Sequence, residues 1–179
     1  MEYFTRFDER WDHRFDVTRW GELDESFAFI HKEVLYFGIN IVGGTPYSNS
    51  EKKRRHQEHL ERISTIMNDR SEYFKVVVLF GHAEPSSHHE DFFKGNGGFI
   101  SLIYEMGKPT IHFHGDLHKY YEKESEYGVR NYVRISLDGE SVAPPISVTI
   151  DVSKESPITV SRRESGLKVK CCSNGWPQQ

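Results

Sequence analysis

The chain has 179 residues, and at ~100–200 residues per domain this length points to one domain around one main core. Its 23 Lys and Arg against 27 Asp and Glu give a net charge of −4, which argues against a nucleic-acid binder, whose footprint is a basic surplus. Hydrophobic residues make up 36% and aromatics 13%, enough for a core; no apolar run approaches the ~20 residues that cross a bilayer, and the charged opening MEYFTRFDERWDHRF does not read as a signal peptide, so the expectation is a soluble chain.

Residues 1–25 mix aromatic and charged side chains without a clean period and read as an irregular lead-in, with Trp11, Phe15 and Trp20 as anchors. Phe27 to His31 and Val34 to Ile41 are β-branched and aromatic runs separated by Lys32-Glu33, the signature of a hairpin. The breakers of GGTPYSNSE follow. Ser48 with Glu51 three residues later has capping-box spacing and predicts a helix, along which Leu60, Ile63 and Met67 form one apolar stripe among charged residues. Lys75 to Phe80 reads as a strand buried on both faces that delivers Gly81-His82 to a loop. Glu90 to Met106 is helix-like around the soft insert Gly95-Asn96-Gly97-Gly98 and is stopped by Gly107-Lys108-Pro109. Thr110 to His114 is the next strand. Tyr132 to Leu137 and Ile146 to Val152 both alternate and read as consecutive antiparallel strands; the tail, residues 156–179, carries a weak strand signal at Leu167 to Val169. The fold class is therefore α/β, a layered structure on a mixed sheet.

The chain has ten histidines, and six of them, His82, His88, His89, His112, His114 and His118, fall within residues 82–118. His82 ends one strand; His114, Asp116 and His118 follow the next. Two strand ends thus present imidazoles and a carboxylate to one edge of a sheet, where α/β proteins bind ligands. Imidazole with carboxylate suits zinc, iron or manganese. The spacing is also compatible with surface or hydrogen-bonded histidines and with Asp116 as a plain turn residue beside Gly115. His112, sharing a face with His114, reads as a packed residue, and His88 and His89 as an exposed loop pair. The GNGG insert lacks the ending of a phosphate-binding loop. Cys171 and Cys172, adjacent near the C-terminus, form neither a long-loop staple nor a CxxC site, and they leave the redox compartment open.

Taken together, VVVLFGHAEP and GKPTIHFHGDLHKYY resemble the C-terminal half of a calcineurin-like metallophosphoesterase, with flanking stretches extending the likeness over about residues 10 to 155. The resemblance implies a partial metallophosphoesterase β-sandwich flanked by helices over residues 26–155. It implies that His82 is a ligand from a Gly-His strand end, that Asp116 stands where the first histidine of a Gly-His-x-His pair would be, and that His118 is its second. The group held would be a divalent ion of the iron, zinc or manganese class, and the substrate a phosphate ester. Asp116 at that position favours a harder ion than two imidazoles would. The family's Asp-x-His, Gly-Asp-x-x-Asp and Gly-Asn-His motifs do not occur upstream of His82. The resemblance then implies that the remaining ligands lie before Met1 or on a second chain, and that this chain alone is not competent for catalysis. The alternative is a non-enzymatic interaction module on the same scaffold.

Overall fold

The computed structural model describes residues 9, 12–20, 23–41, 48–85, 87–139, 146–162 and 168–169. Trp11, residues 140–145 and Cys171 and Cys172 lie outside them. The stretch read as an irregular lead-in contributes β1 (Thr18–Trp20) and the start of β2 (Leu23–His31), which pair antiparallel. Trp20, 1% exposed, is sunk into the core and holds that edge in place.

β2 and β3 (Val34–Gly38) form the expected hairpin, in register from Phe27↔Gly38 to His31↔Val34. Both loop residues, Lys32 and Glu33, have positive φ (48° and 60°), the left-handed pair that matches strand twist across a two-residue loop. The helix α1 (Asn49–Asp69) begins at Ser48, whose side chain accepts from the Glu51 N–H at 3.4 Å. The capping box is only half made, because the Glu51 carboxylate instead takes Arg54 and Arg55. The buried stripe of α1 is His56, His59, Ile63 and Met67, so two imidazoles extend the apolar face toward the N-terminus.

β4 (Val76–Phe80) lies parallel between β3 and β5 (Thr110–His114), and its first four residues are buried. The helix-like segment between them divides at the glycine insert into α2 (Glu90–Phe93) and α3 (Phe99–Met106). Gly107 ends α3 in the left-handed conformation (φ 67°), a geometry that favours glycine, and its N–H reaches the Ile103 and Tyr104 carbonyls.

The last strands differ from the sequence reading. β6 (Tyr121–Glu124) is an added edge strand, antiparallel to β7 (Tyr132–Ser136), and β7 is parallel to β5. β8 (Ile146–Ile150) does not pair with β7 but joins β9 (Ile158–Arg162) and β10 (Lys168–Val169) in a second sheet. The reason is that both edges of β7 are already paired, one with β5 and the other with β6, so no ladder is left for β8.

The result is an α/β structure on a mixed seven-stranded sheet in the order β1-β2-β3-β4-β5-β7-β6. One face packs Val78, Ile111, Phe113 and Ile135 against Ile158 and Val160 of the small sheet. The other packs Leu35, Phe37, Val77 and Leu79 against Ile63, Phe92, Phe99 and Ile103 of the helices. Among the described residues no helix is long and apolar enough to cross a membrane.

Candidate functional site at the carboxyl edge of the sheet

Because β4 and β5 are parallel neighbours, their carboxyl ends open at the same edge, and the chain leaving each carries a sequence-predicted site residue. The Gly115 and Asp116 N–H groups both donate to the His82 carbonyl, at 3.2 and 3.1 Å. This stitches the two loops together and sets His82 Nε2 3.8 Å from Asp116 Oδ1. The His82 side chain is about half exposed and that of Asp116 about a quarter.

His118 is carried away from this pair. The turn after Asp116 has His118 at φ 49°, and the Tyr120 N–H is held by the Asp138 carboxylate at 2.7 Å. The His118 side chain rests on Gly139, where an added Cβ would come within 2.8 Å of it. Among the described residues no three His, Cys, Asp or Glu side chains converge to hold a metal ion. A structural zinc takes four ligands and a catalytic one usually three from protein. His82 and Asp116 by themselves therefore do not fit a metal, and no chemical step is assigned to one here.

Beneath the pair lies a buried polar layer on the helix side of the sheet. His114 is 1% exposed; its Nε2 lies 3.4 Å from the Tyr121 hydroxyl and 3.5 Å from Arg134 Nη1. Burial and then the Arg134 charge push the His114 imidazole down to about 4. Arg134, from β7, donates through Nη2 to Glu126 Oε1 at 2.6 Å, approaches Glu84 at 3.4 Å and stacks on the Tyr121 ring. Burial opposes its charge, but the Glu126 carboxylate outweighs burial and holds the guanidinium protonated. Next to it His112 is fully buried, stacked on Phe93 and bonded through Nδ1 to the Tyr132 hydroxyl at 2.9 Å, as its reading as a packed residue requires. Burial, then His114 and Arg134, holds His112 well below the usual imidazole range.

A second group joins α1 to the 3-10 turn Ser87–His89 and to α2. His56 Nδ1 meets Asp91 Oδ1 at 2.7 Å, and His56 Nε2 meets His89 Nδ1 at 3.3 Å. Lys52 Nζ donates to the His88 carbonyl at 3.0 Å and pins the turn to the helix. Of the pair read as exposed, His88 is exposed but His89 is 2% exposed, because this turn tucks its last residue under α1. Burial, then His56 and Lys52, pushes His89 down to about 4, while Asp116 pulls the other way. His59, one turn along, is buried against Trp20 and Phe92 and also pushed down to about 4, chiefly by burial.

Sequence reasoning found His82 and Asp116 but missed Arg134, Glu126, His56 and Asp91. Arg134 sits in a strand of alternating pattern and looks solvent-facing until β6 and the turn after it cover that side. His56 and His59 did leave a signal, since they continue the spacing of Ile63 and Met67 by three and four residues. The edge presents the His82 imidazole and the Asp116 carboxylate to solvent over an arginine paired with Glu126. Such a set accepts hydrogen bonds and, with further donors, can ligate a cation. No protein-family model, curated protein or solved structure matches the chain.

Proposed function

We propose that this chain carries part of the site of a metal-dependent phosphoester hydrolase, with His82 and Asp116 as its contribution and the remaining ligands supplied by a second polypeptide or segment. The observation that supports the reading is the approach of His82 to Asp116 at 3.8 Å across two parallel strand ends. That approach is enforced by two backbone hydrogen bonds rather than by the side chains themselves. The sequence likeness to the C-terminal half of calcineurin-like metallophosphoesterases names the chemistry. An ion of the manganese, zinc or iron class would be bound weakly by this chain alone, and turnover of phosphate esters would appear only with the missing ligands added.

Elemental mass spectrometry of the chain equilibrated with manganese, zinc or iron tests this directly. The expected result is a single, weakly held ion, lost in the double variant His82→Ala/Asp116→Ala. No uptake, or uptake unchanged in the double variant, overturns it. Hydrolysis of an aryl phosphate in the presence of a polypeptide bearing the Asp-x-His, Gly-Asp-x-x-Asp and Gly-Asn-His motifs is the second arm.

A second reading, a non-enzymatic interaction module, is favoured by a different observation. An open groove of ≈ 420 Å³ runs between the two sheets, lined by Val34, Tyr36, Val78, Phe80, Phe113 and Val148 among others. Phe80 remains 44% exposed there. On this reading Phe80→Asp abolishes association with a partner while His82→Ala leaves it intact.

A further inference from the structure

The Asp91–His56–His89 group has a determinate polarity. A carboxylate is an acceptor only, so the 2.7 Å contact places the His56 proton on Nδ1, donated to Asp91 Oδ1. Burial lowers His56 despite Asp91, so its ring is neutral near pH 7 and its Nε2 is a bare lone pair. The 3.3 Å contact then requires His89 to donate from Nδ1. His89, neutral in turn, is left with a lone pair on Nε2, and that atom is buried with no hydrogen-bond partner among the described residues. An interior acceptor of this kind bears its full desolvation cost unless something donates to it. Each ring is oriented through its other nitrogen, the arrangement that fixes an imidazole for use.

We propose that Asp91, His56 and His89 form a proton-accepting relay: His89 Nε2 takes a proton from a water or hydroxyl held at the carboxyl edge of β4 and β5, and the positive charge settles on His56 beside Asp91. The transfer balances within the three side chains. A bond forms between the incoming proton and His89 Nε2, the donor keeping the electron pair. The proton on His89 Nδ1 passes to His56 Nε2, and His56, now protonated on both nitrogens, is paired with the Asp91 carboxylate. Charge thus leaves a 2%-exposed ring for one beside a carboxylate whose side chain is 38% exposed.

The charged and titratable groups facing the relay act in both directions. Lys52, from the same helix as His56, opposes protonation, and His59 beside it is itself lowered by His56; Asp91 on α2 and Asp116 after β5 favour protonation. Asp116, which favours protonation of His89, is also the carboxylate that approaches His82. Only the placing of the donor at that edge rests on the phosphoester reading; the relay itself does not.

The test is nitrogen-15 NMR of the full chain with labelled histidine, reading the two-bond couplings from ring carbon-bound protons to each ring nitrogen. At neutral pH, His56 and His89 are both expected as Nδ1–H tautomers; His89 with its proton on Nε2 overturns the proposal, and this arm needs no variant. On acidification, His89 is expected to switch to the Nε2–H form as His56 becomes doubly protonated. In Asp91→Asn the amide oxygen still accepts from Nδ1–H, so the neutral tautomers persist while the switch moves to lower pH by roughly 1 unit. A switch at the same pH in Asp91→Asn overturns the relay. Failure of metal uptake at His82 and Asp116 sinks the phosphoester reading and leaves these tautomers unchanged.

Discussion

On the sheet face that meets β8 and β9, Val78, Ile111, Val133 and Ile135 pack against Ile158 and Val160 in an aliphatic layer. On the helix face, His56, His59, His89, His112, His114 and Arg134 are buried beside Phe92, Phe93 and Tyr132. Both faces belong to one sheet, so strand propensity does not explain the difference. What covers them does. A second sheet offers side chains whose backbone groups are already committed to its own ladder. Short helices, 3-10 turns and loops bring carboxylates, hydroxyls and free carbonyls, and with those a buried polar group is affordable. Chemistry therefore collects on the helix face, toward the carboxyl ends of β4, β5 and β7.

The sharpest way to break this comparison is Arg134→Ala, which strands Glu126 next to two buried histidines. Removing one partner of a buried ion pair costs ~3–5 kcal/mol, read as a fall in the urea midpoint. On the aliphatic face, Ile111→Ala should cost ~2–5 kcal/mol by the same measurement, through lost burial and a cavity. A larger loss for Ile111 than for Arg134 would mean that the polar face is the less critical of the two.

The faces should separate most clearly in acid. His59, His89 and His114 sit at about 4 in the folded chain, below the ordinary ~6.5 they regain on unfolding. Between these values the unfolded state binds more protons, so stability is full above ~6.5 and falls as the pH drops toward about 4. Each such group contributes up to ~1.4 kcal/mol per pH unit. His59→Leu removes one of them and replaces a buried imidazole with an apolar side chain, so the change should be near neutral at pH 7 and stabilising at pH 5. Urea unfolding at the two pH values checks both statements, and equal acid sensitivity in the variant would refute the assignment. The smallest effect belongs to the start of α1, where Ser48→Ala should cost ~1 kcal/mol of stability at any pH in this range.

The hairpin, the cap at Ser48, the stop at Gly107 and the strands at Val76 and Thr110 were legible because each depends on neighbours within a few residues: a two-residue turn, a side chain reaching three positions on, a period of two or 3.6. His82 and Asp116 were legible for a related reason, since each follows a strand. Their approach to 3.8 Å was not, because it depends on β4 and β5 being parallel neighbours. His118 shows the limit from the other side: two residues from Asp116 in sequence, it is turned onto Gly139 by a backbone that leaves the strand direction.

The sequence by itself determined the α/β class, most of the elements and the places where chain leaves the sheet, because hydrophobic period and turn chemistry are local. Only the tertiary structure decided which strands pair, that β8 belongs to a second sheet, and that Arg134, His56 and His89 are interior. Those outcomes depend on surfaces brought together across tens of residues. A polar side chain's burial is set by what covers it, and that information is not in its own neighbourhood of the chain.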